Sequence, residues 1–376
     1  MMRFLILSCN TGGGHNAASY AMKEAIEKAG HEAVVLDYMC LAGEGVSKAV
    51  GNGYVKTVQI APKLFGLVYR LGMVVSKLVK RSPVYYANAR MAKYIEEYLS
   101  ENHFDALIVP HLYPGETITY MKQNGMKVPM SFVIITDYTC SPFWEETDCD
   151  YYIVPGESVG RQFIKRGVPE DKVVSIGIPV SQKFIKKITK AEARDELKLP
   201  MDKTIHLFVG GSMGAGSLKR LSQRIKRLTH GKDEIVIICG SNERMYNKIS
   251  CRYSKYPQIH VVGQTDRMYM YMFACDIIYT KPGGLTSTEA AAANIPIVHT
   301  KPIPGCETEN RKYFEKLGMS ISSETVLGQV LAGEMLLASE SRLKEMREAQ
   351  SKYINPHAAD DIYDFMAEKL KEAGII

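Results

Sequence analysis

Between Glu44 and Glu96 the chain has no acidic residue. The same stretch carries Lys48, Lys56, Lys63, Arg70, Lys77, Lys80, Arg81, Arg90 and Lys93. Cations without counter-charges form a patch that seeks a negative surface. Other absences narrow the class. No uncharged apolar run reaches about 18 residues, so the pattern offers no transmembrane helix. The 8 cysteines include no CxxC pair and no Cys/His zinc spacing. They read as reduced thiols of a cytosolic protein, not as a disulfide framework. With 1 Trp and no reader motif, nucleic acid is not an expected partner. Neither low-complexity segments nor repeats of about 20–50 residues occur.

What is present is an ordinary globular composition: 376 residues, 46% hydrophobic, 23% charged, formal net charge +6. That length suffices for two domains with a large buried core. The start, "MMRFLILSCN", is a charge and a short apolar run followed by glycines. It reads as a first strand and not as a signal peptide. Strand-like runs then alternate with helical segments: "RFLILSC", "EAVVLD", "DALIVP", "SFVIITD", "DYYIVP", "VVSIGIP". After a charged connector the series restarts with "TIHLFVG", "EIVIICG", "IHVVG", "DIIYTK" and "PIVHT". Strand–helix alternation predicts parallel sheets with helices on both faces. Two series, each opening on a strand and a Gly-rich turn, predict an α/β protein of two doubly wound, Rossmann-like domains. Ligands of such sheets bind beyond the C-terminal strand ends.

Three glycine-rich turns carry the chemistry. In "TGGGHNAAS", Gly12, Gly14 and Ala17 satisfy G-x-G-x-x-A, and Asp37 follows the second strand. That leaves a dinucleotide dehydrogenase open, but it does not explain His15. "FVGGSMGAGSLKR" brings Gly211, Ser212 and Gly214 before a helix expected from about residue 217. Bare backbone N–H groups at a helix start make an anion cradle. In "DIIYTKPGGLTSTEAAAANIPIV", Gly283 and Gly284 precede Glu289 in an alanine-rich helix. An acid there can accept two ribose hydroxyls, or merely offset the helix dipole.

Together these residues resemble the family 28 glycosyltransferases. "TKPGGLTSTEAAAANIPIV" followed by "PGCETEN" is similar to that family's donor-site signature, and "TGGGHNAAS" to its N-terminal glycine loop. "SFVIITDYTCSPFWEETDCDYYIVPGE" resembles the branch of monogalactosyldiacylglycerol synthases and processive diacylglycerol glucosyltransferases. The likeness implies a GT-B fold, two Rossmann-like domains facing across a cleft. The implied limits are an acceptor domain over 1–185, a donor domain over 200–350, and a helix over 356–376 crossing back to the first domain. It implies a UDP-sugar donor near Gly211, Ser212, Gly214, Thr265, Lys281, Gly283, Gly284, Leu285, Thr286, Glu289, Glu307 and Asn310, with Glu289 on the ribose. Cys306 stands where the family carries glutamine, and Gln264 where an aromatic is common. "TDYTCSPFW" also lacks a histidine often found a few residues after the aspartate.

The same likeness makes His15 the base or the residue that positions the acceptor, with Asp137 as a second catalytic candidate. A helix N-terminus disfavours imidazolium, and a base must be neutral. Gly12, Gly13 and Gly14 would then give a lipid headgroup close access. The bland alternative is a histidine that only hydrogen-bonds backbone. Asp148 and Asp150 form a D-x-D, but in the acceptor half. No metal or other cofactor is expected, with helix N-termini and Lys281 offsetting the departing diphosphate.

Lys56, Lys63, Arg70 and Lys77 recur every seven residues, so helical stretches put them on one face. Pro62 breaks or starts a helix between the first two. Leu64, Leu67, Leu71, Val74, Val75 and Leu78 form an apolar stripe, with Tyr54, Phe65, Tyr69, Tyr85 and Tyr86 as interfacial aromatics. With Lys80 and Arg81, the segment over about 46–95 suits an anionic bilayer; the alternative is a helical hairpin with a solvated basic face. The expectation is an inverting hexosyltransferase, peripheral on the inner face of the cell membrane, acting on diacylglycerol. Alternatives are an N-acetylglucosamine transfer to a polyprenyl-linked precursor, a UDP-N-acetylglucosamine 2-epimerase, and a nucleotide-binding protein without catalysis.

Overall fold

The computed structural model describes residues 1–9, 13–43, 45–47, 53, 62–186, 188–210, 218–228 and 230–375, without the side chains of 62–65, 77, 78, 218 and 228. The chain forms two compact units. One comprises Met1–Gln182, Pro304–Cys306 and Asn355–Ile376; the other comprises Lys183–Ile303 and Glu307–Ile354.

In the first unit, β1 (Arg3–Ser8), β2 (Glu32–Asp37), β3 (Ala106–Val109), β4 (Met130–Ile134), β5 (Tyr151–Val154) and β6 (Val173–Ser175) form one sheet. All its pairings are parallel, in the order β2-β1-β3-β4-β5-β6. The central runs are continuously apolar because helices cover both faces. Around them lie α1 (Gly13–Lys28), α2 (Pro62–Leu78), α3 (Pro83–Ala89), α4 (Ala92–Glu101), α5 (Leu112–Gln123) and α6 (Glu157–Lys165). Pro62 starts α2, where a missing N–H costs nothing. α3 is locked onto α5 by a buried polar chain. The Tyr38 hydroxyl donates to Asn88 Oδ1 at 2.8 Å, and Asn88 Nδ2 donates to Glu116 Oε2 at 2.5 Å.

The second unit repeats the scheme with β7 (Ile205–Val209), β8 (Glu234–Ile238), β9 (Ile259–Val262), β10 (Ile277–Thr280), β11 (Ile297–His299) and β12 (Ile321–Ser322). Their order is β12-β11-β10-β7-β8-β9, again all parallel. The helices are α7 (Lys190–Glu196), α8 (Leu218–Leu228), α9 (Glu243–Tyr253), α10 (Met268–Ala274), α11 (Gly284–Ala292), α12 (Cys306–Lys316, whose first residue falls in the first unit), α13 (Val326–Leu337) and α14 (Glu340–Tyr353). Tyr279 stacks on Phe208, centroids 4.7 Å apart, in the centre of this core. A Cβ at Gly333 would collide with the Tyr279 hydroxyl, so that glycine lets α13 lie against the ring.

The last helix, α15 (Ala358–Glu372), belongs to the first unit. Its Ala358, Ala359, Ile362, Met366 and Leu370 are fully buried against Phe4, Ile6, Met22 and Ile26. Lys28 of α1 also pairs with Asp360 at 2.9 Å. The fold is thus α/β, two Rossmann-like doubly wound units.

Each sheet reverses its strand order once. In the first unit the reversal lies between β1 and β3, in the second between β7 and β10. Parallel sheets bind ligands beyond the strand ends at such a reversal. His15 follows β1, and "KPGG" follows β10. Two strand expectations shorten. "SFVIITD" is extended only to Ile134, and "VVSIGIP" only to Ser175. Thr136 and Asp137 therefore sit in a loop past the sheet edge.

Candidate active site

His15 is the third residue of α1, and the residue is half-buried. Its Nδ1 lies 2.9 Å from the carbonyl oxygen of Pro110, just past β3, and 3.1 Å from the Thr136 hydroxyl, just past β4. A carbonyl can only accept, so Nδ1 carries the proton and the lone pair of the neutral ring falls on Nε2. Burial pushes the imidazole below the usual histidine range, opposed by the charge of Asp137 and by the Pro110 carbonyl. The ring is therefore mostly neutral at pH 7 and has an anion nearby to steady it once protonated. Gly13 and Gly14 are the first two residues of α1, and a Cβ at Gly13 would meet nothing within 4 Å. Gly12 lies outside the described residues.

One histidine escaped the sequence reading. His111, the residue after Pro110, places its ring 4.6 Å from that of His15, nearly perpendicular. Nothing in "VPHLYPG" links it to a residue 96 positions earlier; only the adjacency of β1 and β3 does.

In the second unit the residues after β10 gather around the N-terminus of α11. Gly283 is the N-cap and Gly284 the first helical residue. Thr286 is half-buried, whereas Leu285 is buried in the core. The Glu289 carboxyl makes no hydrogen bond among the described residues, and burial pushes it up to about 8. Lys281 is ion-paired with Glu307, whose other oxygen accepts from the Ile303 amide at 2.8 Å. The lysine expected to offset diphosphate charge thus already has a carboxylate partner. Asn310 is fully buried and its Nδ2 donates to the Pro282 carbonyl at 3.1 Å, bracing the loop instead of facing outward. Thr265 is likewise spent locally, its hydroxyl accepting from the Arg267 amide at 3.0 Å. Behind α11, His299 bridges Ser287 and Ser320 at 2.9 and 3.0 Å. Gly211, Ser212 and Gly214 lie outside the described residues.

Three acid candidates are consumed by structure. Asp37 accepts from the Met39 amide at 3.2 Å and the Ser47 hydroxyl at 2.5 Å. It caps the turn after β2 and does not present the free ribose acid that a dehydrogenase requires. Asp150 pairs with Lys122 at 2.6 Å and Asp148 with Lys172 at 2.8 Å. Both precede β5, at the end of the sheet opposite the ligand-binding edge. Cys306, within the first unit, has its Sγ 3.1 Å from the Ser141 hydroxyl, and burial pushes the thiol up. It is a neutral hydrogen-bonding group, not a nucleophile.

In the basic segment most of the described apolar stripe is exposed, whereas Arg81 and Tyr85 are not free for a membrane. On α2, Leu67, Leu71 and Val74 are each more than half exposed, as is Val68 beside them. Arg70 is exposed next to this stripe. The inward side approaches closely through Gly72, where a Cβ would lie 3.4 Å from the Phe143 ring. Arg166 also donates to Met73 Sδ at 3.1 Å. Lys80 is exposed. Arg81, expected at a membrane, instead donates to the Glu146 carbonyl and lies 4.7 Å over the Tyr85 ring. Tyr85 is itself buried, whereas Tyr86 is exposed. Lys56 and Tyr54, and the side chains of Lys63, Leu64, Phe65, Lys77 and Leu78, lie outside the described residues. Among the described residues no helix is long and apolar enough to cross a membrane.

Residues 15–180 match the family profile of monogalactosyldiacylglycerol (MGDG) synthase, and residues 205–362 match the glycosyltransferase family 28 C-terminal domain. A processive diacylglycerol beta-glucosyltransferase of Bacillus cereus (strain AH187) is 28% identical over 372 residues, covering 96% of this chain and 92% of that protein. Among solved structures, the Staphylococcus aureus MnaA–UDP co-structure superposes with a TM-score of 0.64 at 14% identity, covering 99% of this chain and 97% of the other. Acinetobacter baumannii MurG does so with a TM-score of 0.61 at 14% identity, covering 98% and 100%. Together the two family matches span most of the chain, and with the α/β two-unit fold they make it a hexosyltransferase of GT-B fold. The chain belongs to glycosyltransferase family 28, in the branch of monogalactosyldiacylglycerol synthases and processive diacylglycerol glucosyltransferases.

Proposed function

We propose that this enzyme transfers a hexosyl group from a UDP-sugar, with inversion, to the hydroxyl of a lipid acceptor at a membrane surface. The acceptor that best fits the names of its relatives is diacylglycerol. The observation that carries the mechanism is the hydrogen bond from His15 Nδ1 to the Pro110 carbonyl, because it leaves Nε2 as the base. Nε2 takes the proton of the acceptor hydroxyl as the acceptor oxygen bonds to the anomeric carbon. The bond from that carbon to the diphosphate breaks, and UDP leaves with the electron pair. The imidazolium is held by the charge of Asp137 until it releases the proton to water.

On the donor side, Glu289 accepts the ribose hydroxyls. The N-terminus of α11 offsets diphosphate charge by backbone amides. This reading needs no metal. Its support is that the D-x-D acids are both paired with lysines at the far end of their sheet. UDP as the nucleotide is supported by the UDP in the S. aureus MnaA structure, a likeness of fold. An exposed Leu67–Leu71–Val74 stripe beside Arg70 suits insertion at an anionic bilayer.

The test is UDP release from UDP-glucose, UDP-galactose and UDP-N-acetylglucosamine with anionic vesicles, with and without diacylglycerol, in EDTA. The proposal predicts release from one donor that requires diacylglycerol and survives EDTA. Release without any lipid acceptor would favour an epimerase-like or hydrolytic activity. Release only with a polyprenyl-linked acceptor would replace diacylglycerol with that class.

A further inference from the structure

We infer that His111 is a positioning residue for His15: it fixes the plane of the His15 imidazole and, held as a neutral ring, leaves the incoming proton to His15 alone. This rests on the reading of His15 as the base.

His111 is the N-cap of α5, and its Nδ1 accepts from the Tyr113 amide at 3.2 Å. A side chain that caps a helix must offer an acceptor. The capping ring is therefore the Nε2–H tautomer. Protonation would place an N–H on Nδ1, facing the Tyr113 N–H, with the cap lost. Two further observations agree. The ring is buried, 8% exposed, so a charge there would be poorly solvated. It also packs edge-on 4.6 Å from His15 and 4.5 Å from the Tyr113 ring, which leaves it little freedom to turn. Burial, and then the proximity of His15, hold the His111 imidazole well below the usual histidine range.

Consecutive residues thus control one imidazole in two ways. The Pro110 carbonyl selects the tautomer, and the His111 ring sets the plane about that hydrogen bond. Two imidazoles this close cannot both be charged cheaply. The cap decides which one yields. The other titratable groups facing the pair are Asp137 from the loop after β4, and Tyr113, which itself faces Cys9 and Glu116. Of the groups around His15, Asp137 favours its charged form.

The test uses His111→Asn, which keeps an acceptor for the Tyr113 amide and removes the ring, with His111→Ser as a second capping variant. Each is compared with His15→Ala. Turnover, donor KM, thermal midpoint and the 15N shifts of the His15 ring across pH are measured. The inference predicts that kcat falls at least tenfold with donor KM within twofold and an unshifted midpoint. It also predicts that the His15 titration moves up towards the usual histidine range as the ring's shielding is lost. If both capping variants keep wild-type kcat and His15 titration while His15→Ala is inactive, His111 is not a positioning residue and the base assignment stands. If His15→Ala is itself active, the base reading fails first. A fall in kcat that tracks a lowered midpoint in both variants, with unchanged His15 shifts, would make His111 a helix cap and nothing more.

Discussion

His15 Nδ1 and the Pro110 carbonyl oxygen, 95 residues apart in the chain, lie 2.9 Å apart at the point where the first sheet reverses its strand order. This one contact assigns the tautomer of the ring and turns Nε2 into the available base. It also explains why a glycine loop that resembles a phosphate cradle carries an imidazole. The helix that follows begins at Gly13, where a Cβ would meet nothing within 4 Å among the described residues.

The pH dependence of catalysis follows from burial. His15 protonates below its ordinary 6.5, because desolvation outweighs the charge of Asp137. The acid limb of kcat/KM should therefore lie below pH 6.5, with activity falling about tenfold per unit beneath it. A pH–rate profile with saturating lipid measures this. An acid limb above 6.5 would mean that His15 is not the neutral base.

Glu289 titrates the other way. Burial raises its carboxyl to about 8 in the unliganded protein, so at pH 7 it is mostly protonated. A carboxylate accepts two ribose hydroxyls; a protonated acid accepts them poorly. UDP should consequently bind more tightly as pH rises from 6 to 8.5, and Glu289→Gln should both weaken binding and flatten that dependence. Calorimetric titration of UDP at several pH values checks it. Wild-type affinity in Glu289→Gln would remove the ribose role.

The apolar side of α2 and its basic neighbours should behave differently on mutation. Leu67→Ser with Leu71→Ser removes exposed apolar surface. It should weaken sedimentation with anionic vesicles several-fold while leaving the thermal midpoint in place. Arg81→Ala removes a hydrogen bond to Glu146 and a ring contact with Tyr85. It should lower the midpoint and change vesicle binding little. The reverse pattern would put the membrane contact elsewhere.

The last helix is part of a core, not an appendage. Ile362 is fully buried among residues of β1 and α1, so Ile362→Ala should cost about 2–5 kcal/mol of stability. Chemical denaturation measures the loss. A change below about 0.5 kcal/mol, the usual size for a surface site, would show that α15 detaches readily.

Much of this was legible in the sequence because each glycine motif lies next to a strand of unmistakable composition. "RFLILS" and "DIIYTK" lead into the loops that the two strand-order reversals expose. What was not legible depends on pairing across distance. His111 looks like a lone histidine until β3 is set beside β1. Lys281 and Arg81 look like available cations until Glu307 and the Glu146 carbonyl claim them. Asp137 reads as the end of a strand, yet β4 stops at Ile134, and the remaining residues turn out to hold His15. Charge periodicity marked the α2 region as unusual. It did not reveal that Tyr85, expected among the interfacial aromatics, is buried under Arg81.

The central claim is that His15 is the acceptor's base and not part of the donor site. The most direct measurement is the turnover of His15→Ala beside its affinity for UDP. The account predicts a fall in kcat of about two to four orders of magnitude, the usual contribution of a general base, with the Kd for UDP within twofold of wild type. A variant that keeps its turnover, or one whose UDP binding collapses, would contradict it.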